Sequence, residues 1–107
     1  MEVKREEVWL IQLNPTQGSE IAKVRPCLVI SPSDINKYLN TVLIAPMTTT
    51  IKLYPTRIET VFQDTEGQVA IDQMRAVDKS RLIQKLGKID SKTFKAVLAT
   101  IRELFEE

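Results

Sequence analysis

The sequence contains no histidine. That absence removes the side chain most used for proton transfer near neutral pH, and the commonest metal ligand. There is one cysteine, Cys27, so no internal disulfide can form. A lone thiol in an apolar run suits a reducing compartment, and Cys27 is expected to be a small buried hydrophobe. Aromatic residues are scarce, with three Phe, two Tyr and one Trp, which leaves little for an aromatic peptide-binding groove. No apolar run approaches membrane-spanning length, and Met1-Glu2-Val3-Lys4 opens no signal peptide, so a soluble cytoplasmic protein is expected. Charge of one sign is not in excess either. Fifteen Lys and Arg against fourteen Asp and Glu leave a net charge of +1, so any anion site must be local. No internal repeat or low-complexity segment is visible.

What is present suits one folded domain spanning residues 1–107, with 43% hydrophobic and 27% charged residues. The organising stretch is Val24-Arg25-Pro26-Cys27-Leu28-Val29-Ile30-Ser31. Cys27 to Ile30 reads as a short strand buried on both faces, opened by a proline that a strand tolerates at its first residue. Pro26 also restricts Arg25 to an extended backbone at the mouth of that strand. The Arg25 guanidinium is a planar fork of donors suited to phosphate or carboxylate. On this stretch alone the plainer reading is an ordinary exposed arginine at a strand end.

Val8 to Leu13 forms a first strand, apolar on both faces, closed by the Asn14-Pro15 turn. Thr16 to Lys23 is a polar loop between two buried strands, either a functional loop or a solvated connection. Ile35 to Leu39 gives a turn or two of helix, with Ser33 or Asp34 as cap. Val42 to Met47 is a third strand ending at or near Pro46. Thr48-Thr49-Thr50 follows, and its hydroxyls serve a phosphate or local backbone groups. A fourth strand spans Thr56 to Val61, with a turn over Gln63 to Gly67. A longer fifth strand region covers Gln68 to Asp78, interrupted by Asp72, Gln73 and Arg75. Leu82-Ile83 is a short edge strand before a break at Gly87. A terminal helix, capped by Asp90 or Ser91, carries Phe94, Val97, Leu98, Ile101, Leu104 and Phe105 on one stripe for packing on the sheet. Short strands plus one amphipathic helix predict a mainly β fold, a small antiparallel barrel with a C-terminal helix.

The ordered fragments Val8-Trp9-Leu10, Leu13-Asn14-Pro15-Thr16, Gly18-Ser19-Glu20, Arg25-Pro26-Cys27-Leu28-Val29-Ile30-Ser31, Ala45-Pro46-Met47-Thr48, Pro55-Thr56-Arg57 and Asp72-Gln73-Met74-Arg75-Ala76-Val77-Asp78-Lys79 resemble the MazF/PemK toxins. These are the RNA-cleaving halves of bacterial toxin–antitoxin pairs. The resemblance runs from Arg5 to the final helix. It implies an SH3-like barrel of the CcdB/PemK type with a C-terminal helix, acting as a homodimer. It also implies cleavage of single-stranded RNA with no metal or other cofactor, and inhibition by a MazE-like antitoxin lying in the RNA groove. Residue by residue, Arg25 and Thr48 match the catalytic positions of the MazF branch. Ser19, Glu20, Thr49, Thr50, Gln73 and Arg75 match positions expected to meet RNA, with Arg75 also readable as structural. Where the PemK branch carries a histidine and an arginine, this chain has Ser19 and Ala70. Where the family's opening carries a glycine, it has Glu6.

Two other readings compete. A CcdB-like gyrase poison would share the barrel and lack nuclease activity. That function depends on C-terminal helix residues that include a tryptophan, whereas Trp9 lies in the first strand. A non-catalytic SH3-like binding module would need the aromatic groove for which the sequence has little material.

Overall fold

The computed structural model describes residues 1–106. Seven strands and two α-helices follow one another as β1 (Glu7–Gln12), β2 (Val24–Val29), α1 (Ser33–Tyr38), β3 (Thr41–Thr48), β4 (Arg57–Phe62), β5 (Thr65–Ala70), β6 (Arg75–Asp78), β7 (Leu82–Lys88) and α2 (Ser91–Leu104). The strands form an antiparallel half-barrel in the order β4-β5-β3-β2-β1-β7, with β6 also paired to β3. The fold is mainly β with a C-terminal helix, as expected.

β3 is the hub. One edge pairs with β2 through Cys27↔Pro46, Leu28↔Ala45 and Val29↔Ile44. The other edge pairs with β6 from Thr41 to Ile44 and with β5 at Met47 and Thr48. The handover between those partners spans Ala45-Pro46, where the proline has no N–H to give a ladder. β3 therefore passes through Pro46, expected at or near its end, and carries on to Thr48. β2 likewise starts earlier than expected. Val24, Arg25 and Pro26 already pair with β1, through Gln12, Ile11 and Leu10. The second edge of β2 is taken up only from Cys27 onward, so Pro26 sits where one side of its strand is open.

Alternation sorts the side chains into two cores, one on each face of the sheet. Trp9, Ile11, Cys27, Val29, Val42 and Ile44 belong to one. Val8, Leu28, Ala45, Met47 and Val69 belong to the other, together with Phe94 and Val97 of α2. The expectation that β1 is apolar on both faces follows from this double burial. Asp90 caps α2, its carboxylate accepting from the Thr93 N–H at 2.9 Å. The apolar stripe packs only as far as Ile101. Leu104 and Phe105 are exposed, so the last turn of α2 overhangs the sheet.

Four local expectations are corrected. The β4–β5 turn is only Gln63-Asp64, both with positive φ (49° and 63°), and Thr65 to Gly67 already belong to β5. The fifth strand region is two strands separated by a 3-10 turn over Ile71–Gln73, which is why polar Asp72 and Gln73 interrupt it. The final edge strand runs through Gly87, with register shifts that absorb an extra residue beside Val8 and Trp9. α1 has no side-chain cap; Ser33 Oγ instead accepts from the Arg5 N–H at 2.9 Å. The Glu6 substitution leaves β1 in place, because Glu6 itself adopts φ 76°, the region a glycine would favour.

Candidate functional site

Arg25 and Thr48 line one cleft of about 210 Å³, with Thr49, Thr60, Glu66 and Gln68 on its walls. The sheet creates this meeting. Arg25 lies at the start of β2 and Thr48 at the end of β3, and these adjacent antiparallel strands carry the two residues to the same end of the ladder. The backbone of Arg25 is held by pairing to Ile11 and by the Cys27 thiol, which donates to the Arg25 carbonyl at 3.4 Å. Its side chain donates from Nε to Ala22 O at 3.2 Å. Among the described residues no carboxylate pairs with it, so its two terminal nitrogens remain available to a ligand.

Thr48 is half-buried. Its hydroxyl oxygen accepts from the Thr50 N–H at 3.1 Å, which leaves its own O–H to donate. The hydroxyl run thus does local work at Thr48–Thr50 while Thr48 and Thr49 still face the cleft. Gly67 sits against this segment, where a Cβ would fall 2.6 Å from Thr48 O; a side chain there would push the strand end away.

Ser19, Glu20, Gln73 and Arg75, also expected to meet RNA, lie apart from the cleft around the Thr16–Lys23 loop and its base. Gln73 uses both ends of its amide there, accepting from the Ile21 N–H at 3.0 Å and donating to Ser19 O at 3.3 Å. Arg75 donates to Leu13 O at 3.1 Å. Glu20 is exposed but turned into its own loop, accepting from the Gln17 N–H at 2.6 Å. Asn14 closes the base of the loop by accepting from the Lys23 N–H at 3.1 Å. The loop is therefore a braced structure. Gln73 and Arg75 are engaged within the chain, and Ser19, Glu20 and Thr50 are exposed without lining the cleft.

Asp72 is not in the cleft. It forms a two-pronged pair with Arg57, Nε to Oδ1 at 2.8 Å and Nη2 to Oδ2 at 3.2 Å, and accepts from the Thr56 hydroxyl at 3.0 Å. Arg57 stands opposite Ala70 in the β4–β5 register, so a neighbouring strand delivers a guanidinium to Asp72. The hydrogen bonds from Arg57 hold the Asp72 carboxyl below the usual range against the opposing effect of burial. Cys27 is buried, and burial pushes its thiol up to about 12 against the pull of Arg75 and Arg25. It is a packing residue rather than a nucleophile.

Sequence reasoning missed the third wall of the cleft. Thr65, Glu66 and Gly67, where the sequence suggests a turn, are strand. The available signal was Gln68, a polar residue leading into Val69, Ala70 and Ile71; a buried amide requires partners.

The chain matches the family model of PemK-like, MazF-like toxins of type II toxin–antitoxin systems over residues 4–105. It is 35% identical over 101 residues to Endoribonuclease MazF of Staphylococcus saprophyticus, covering 89% of this chain and 84% of the relative. In structure it is similar to crystalline MazF from Deinococcus radiodurans, with a TM-score of 0.87, 24% identity, and coverage of 97% of this chain and 96% of the other. It is also similar to an endoribonuclease from a mycobacterial species in complex with its cognate antitoxin, with a TM-score of 0.80, 22% identity, and coverage of 94% and 92%. The match across nearly the whole sequence places this chain in the PemK-like, MazF-like toxin family.

Proposed function

We propose that this chain is the toxin of a toxin–antitoxin pair and an endoribonuclease that cuts single-stranded RNA without a metal. The observation that carries the reading is the meeting of Arg25, its terminal nitrogens unengaged, with the Thr48 hydroxyl in one cleft. RNA brings its own nucleophile. The 2′-oxygen attacks the adjacent phosphorus, the bond to the 5′-oxygen breaks, and the products are a 2′,3′-cyclic phosphate and a 5′-hydroxyl. Arg25 donates paired hydrogen bonds to the non-bridging oxygens and stabilises the charge that accumulates there. The Thr48 O–H donates to the same phosphate. Proton removal from the 2′-hydroxyl is not assigned to Asp72, because its carboxylate is committed to Arg57 outside the cleft.

Membership of the family and the antitoxin-bound relative support a cytoplasmic toxin that forms an isologous homodimer and is held by a MazE-like antitoxin. No helix among the described residues is long and apolar enough to cross a membrane. The test is to incubate the purified protein with a long RNA in excess EDTA and map the ends. Cuts bearing 5′-hydroxyl groups are expected. Intact RNA, together with gyrase-dependent DNA breakage, would move the protein to the gyrase-poison reading.

A further inference from the structure

Gln68 carries no assigned role, yet it is 2% exposed and lines the cleft directly opposite Thr48 in the β3–β5 pairing. Its amide is used at both ends on a single residue of the neighbouring loop. Oε1 accepts from the Lys52 N–H at 3.1 Å, and Nε2 donates to Lys52 O at 3.0 Å. The side chain thus imitates a strand partner for a backbone that has none. Every residue from Thr49 to Pro55 is exposed, and Leu53 is 94% exposed, so the loop has no apolar anchor of its own. Its other fastenings are at its two ends, the Thr50 N–H to the Thr48 hydroxyl and the Arg57 N–H to Tyr54 O. In the middle of the loop the buried amide is the fixed point.

We propose that Gln68 is a positioning residue that fixes the Thr49–Tyr54 loop beside the cleft, and through it sets which nucleotides flanking the scissile phosphate are accepted. The inference rests on the RNA-cleaving reading, and it assigns Gln68 no contact with the reacting atoms. A buried amide engaged at both ends resists rotation, because each bond it gives up leaves a polar group of its own unpaired inside the protein. The loop is consequently held in one place before RNA arrives, and sequence preference follows from that preorganisation.

The test uses Gln68→Met, which keeps length and volume and removes both hydrogen bonds, and Lys52→Pro, which deletes the N–H from the loop side at an exposed position. Both are measured as full-length protein by amide hydrogen exchange and by cleavage of a preferred RNA site and its single-base variants. In Gln68→Met the Lys52 amide is expected to exchange at least about tenfold faster, while amides of β1 and β2 are unchanged. In both variants, kcat/KM at the preferred site is expected to fall about tenfold or more, chiefly through KM, and preference over the single-base variants to shrink. Should Gln68→Met fail to fold, Lys52→Pro carries the cleavage test alone. A Lys52 amide that exchanges at the wild-type rate in Gln68→Met overturns the positioning role. So does either folded variant that retains wild-type kcat/KM and site preference. A wild-type protein that cuts no RNA overturns the cleavage reading and the specificity consequence with it, whereas the exchange rates judge the positioning independently.

Discussion

Arg25 on β2 and Arg57 on β4 both stand near the start of a strand, and the chain treats them in opposite ways. Arg57 is paired. It binds both oxygens of Asp72, lies over the Tyr54 ring at 5.4 Å from its centroid, and has a side chain only 6% exposed. Arg25 gives one nitrogen to a backbone carbonyl and lines the cleft, and among the described residues it pairs with no carboxylate, Glu66 on the cleft wall included. A cation paired with a carboxylate inside the protein holds loops and strands together. A cation left unpaired at a concave site retains its capacity for an anion from outside. The same residue type is architecture at one place and chemistry at the other, and partners rather than identity decide which.

The strongest way to break this contrast is to remove each guanidinium in turn. Arg25→Ala is expected to lower RNA cleavage by about 10²–10³-fold or more, as loss of a donor to a developing oxyanion does. Its melting temperature should stay near wild type, since no ion pair is lost. Arg25→Lys should recover only part of the rate, because it keeps the charge and loses the planar fork. An Arg25→Ala protein that melts normally and cuts at full rate would sink the assignment.

Arg57→Ala should do the reverse. Asp72 retains 28% exposure, so the pair lies between a surface salt bridge and a buried one, and a loss of about 1–3 kcal/mol is expected. Cleavage per folded molecule should survive. The pair also has a pH signature. Because the native carboxyl of Asp72 is held low, the native state binds fewer protons than the unfolded state as the pH falls through about 4. The stabilisation is complete above that unfolded value and disappears as the pH drops through the lower native value. Asp72→Asn should therefore melt lower than wild type at pH 7, with the gap closing in acid. A gap that stays constant with pH would show that the charge on Asp72 is not what matters.

Thr48→Val is the gentler probe of the cleft. It removes one neutral donor and the acceptor for the Thr50 N–H, a change of about 1–2 kcal/mol. Cleavage should fall about tenfold, clearly less than for Arg25→Ala. If the two losses were equal, the guanidinium and the hydroxyl would be acting as one unit, and the contrast would concern a pair of residues rather than a single arginine.

The two arginines also show how far a sequence reading reaches. The Arg25-Pro26 stretch was legible because proline constrains its neighbour and the apolar run beyond it fixes a strand. The strand order that brings Thr48 to Arg25 was not legible, since residues 23 positions apart meet only through β2–β3 register. The pairing of Arg57 is invisible in the sequence for the same reason: its partner Asp72 lies 15 residues on, behind a hairpin whose turn has two residues where the sequence suggests five. Gln73 shows the opposite failure. Its motif was recognised, but only the structure reveals that both ends of its amide are already spent on the Thr16–Lys23 loop. Motifs report which residues are chosen; hydrogen-bond satisfaction reports what remains for a ligand, and that is a tertiary property.

Glu6 offers the smallest test, and it separates shape from chemistry. This residue holds φ 76°, a conformation that costs a non-glycine residue about 1–2 kcal/mol. Its backbone is nevertheless committed, donating to Val29 O at 3.0 Å and accepting from the Ile89 N–H at 2.9 Å, so β2 and the entry to α2 both depend on that geometry. Glu6→Gly removes the steric penalty but gives the unfolded chain more freedom, which offsets part of the gain. A net stabilisation of about 0.5–1 kcal/mol is expected in denaturant titrations, with the cleavage rate unchanged. Glu6 thus differs from both arginines: its charge makes no ion pair among the described residues, and only its backbone matters. If Glu6→Gly instead lowered cleavage while raising stability, the carboxylate would be acting on RNA from the barrel's opening turn. The division between paired and available charges would then have to include it.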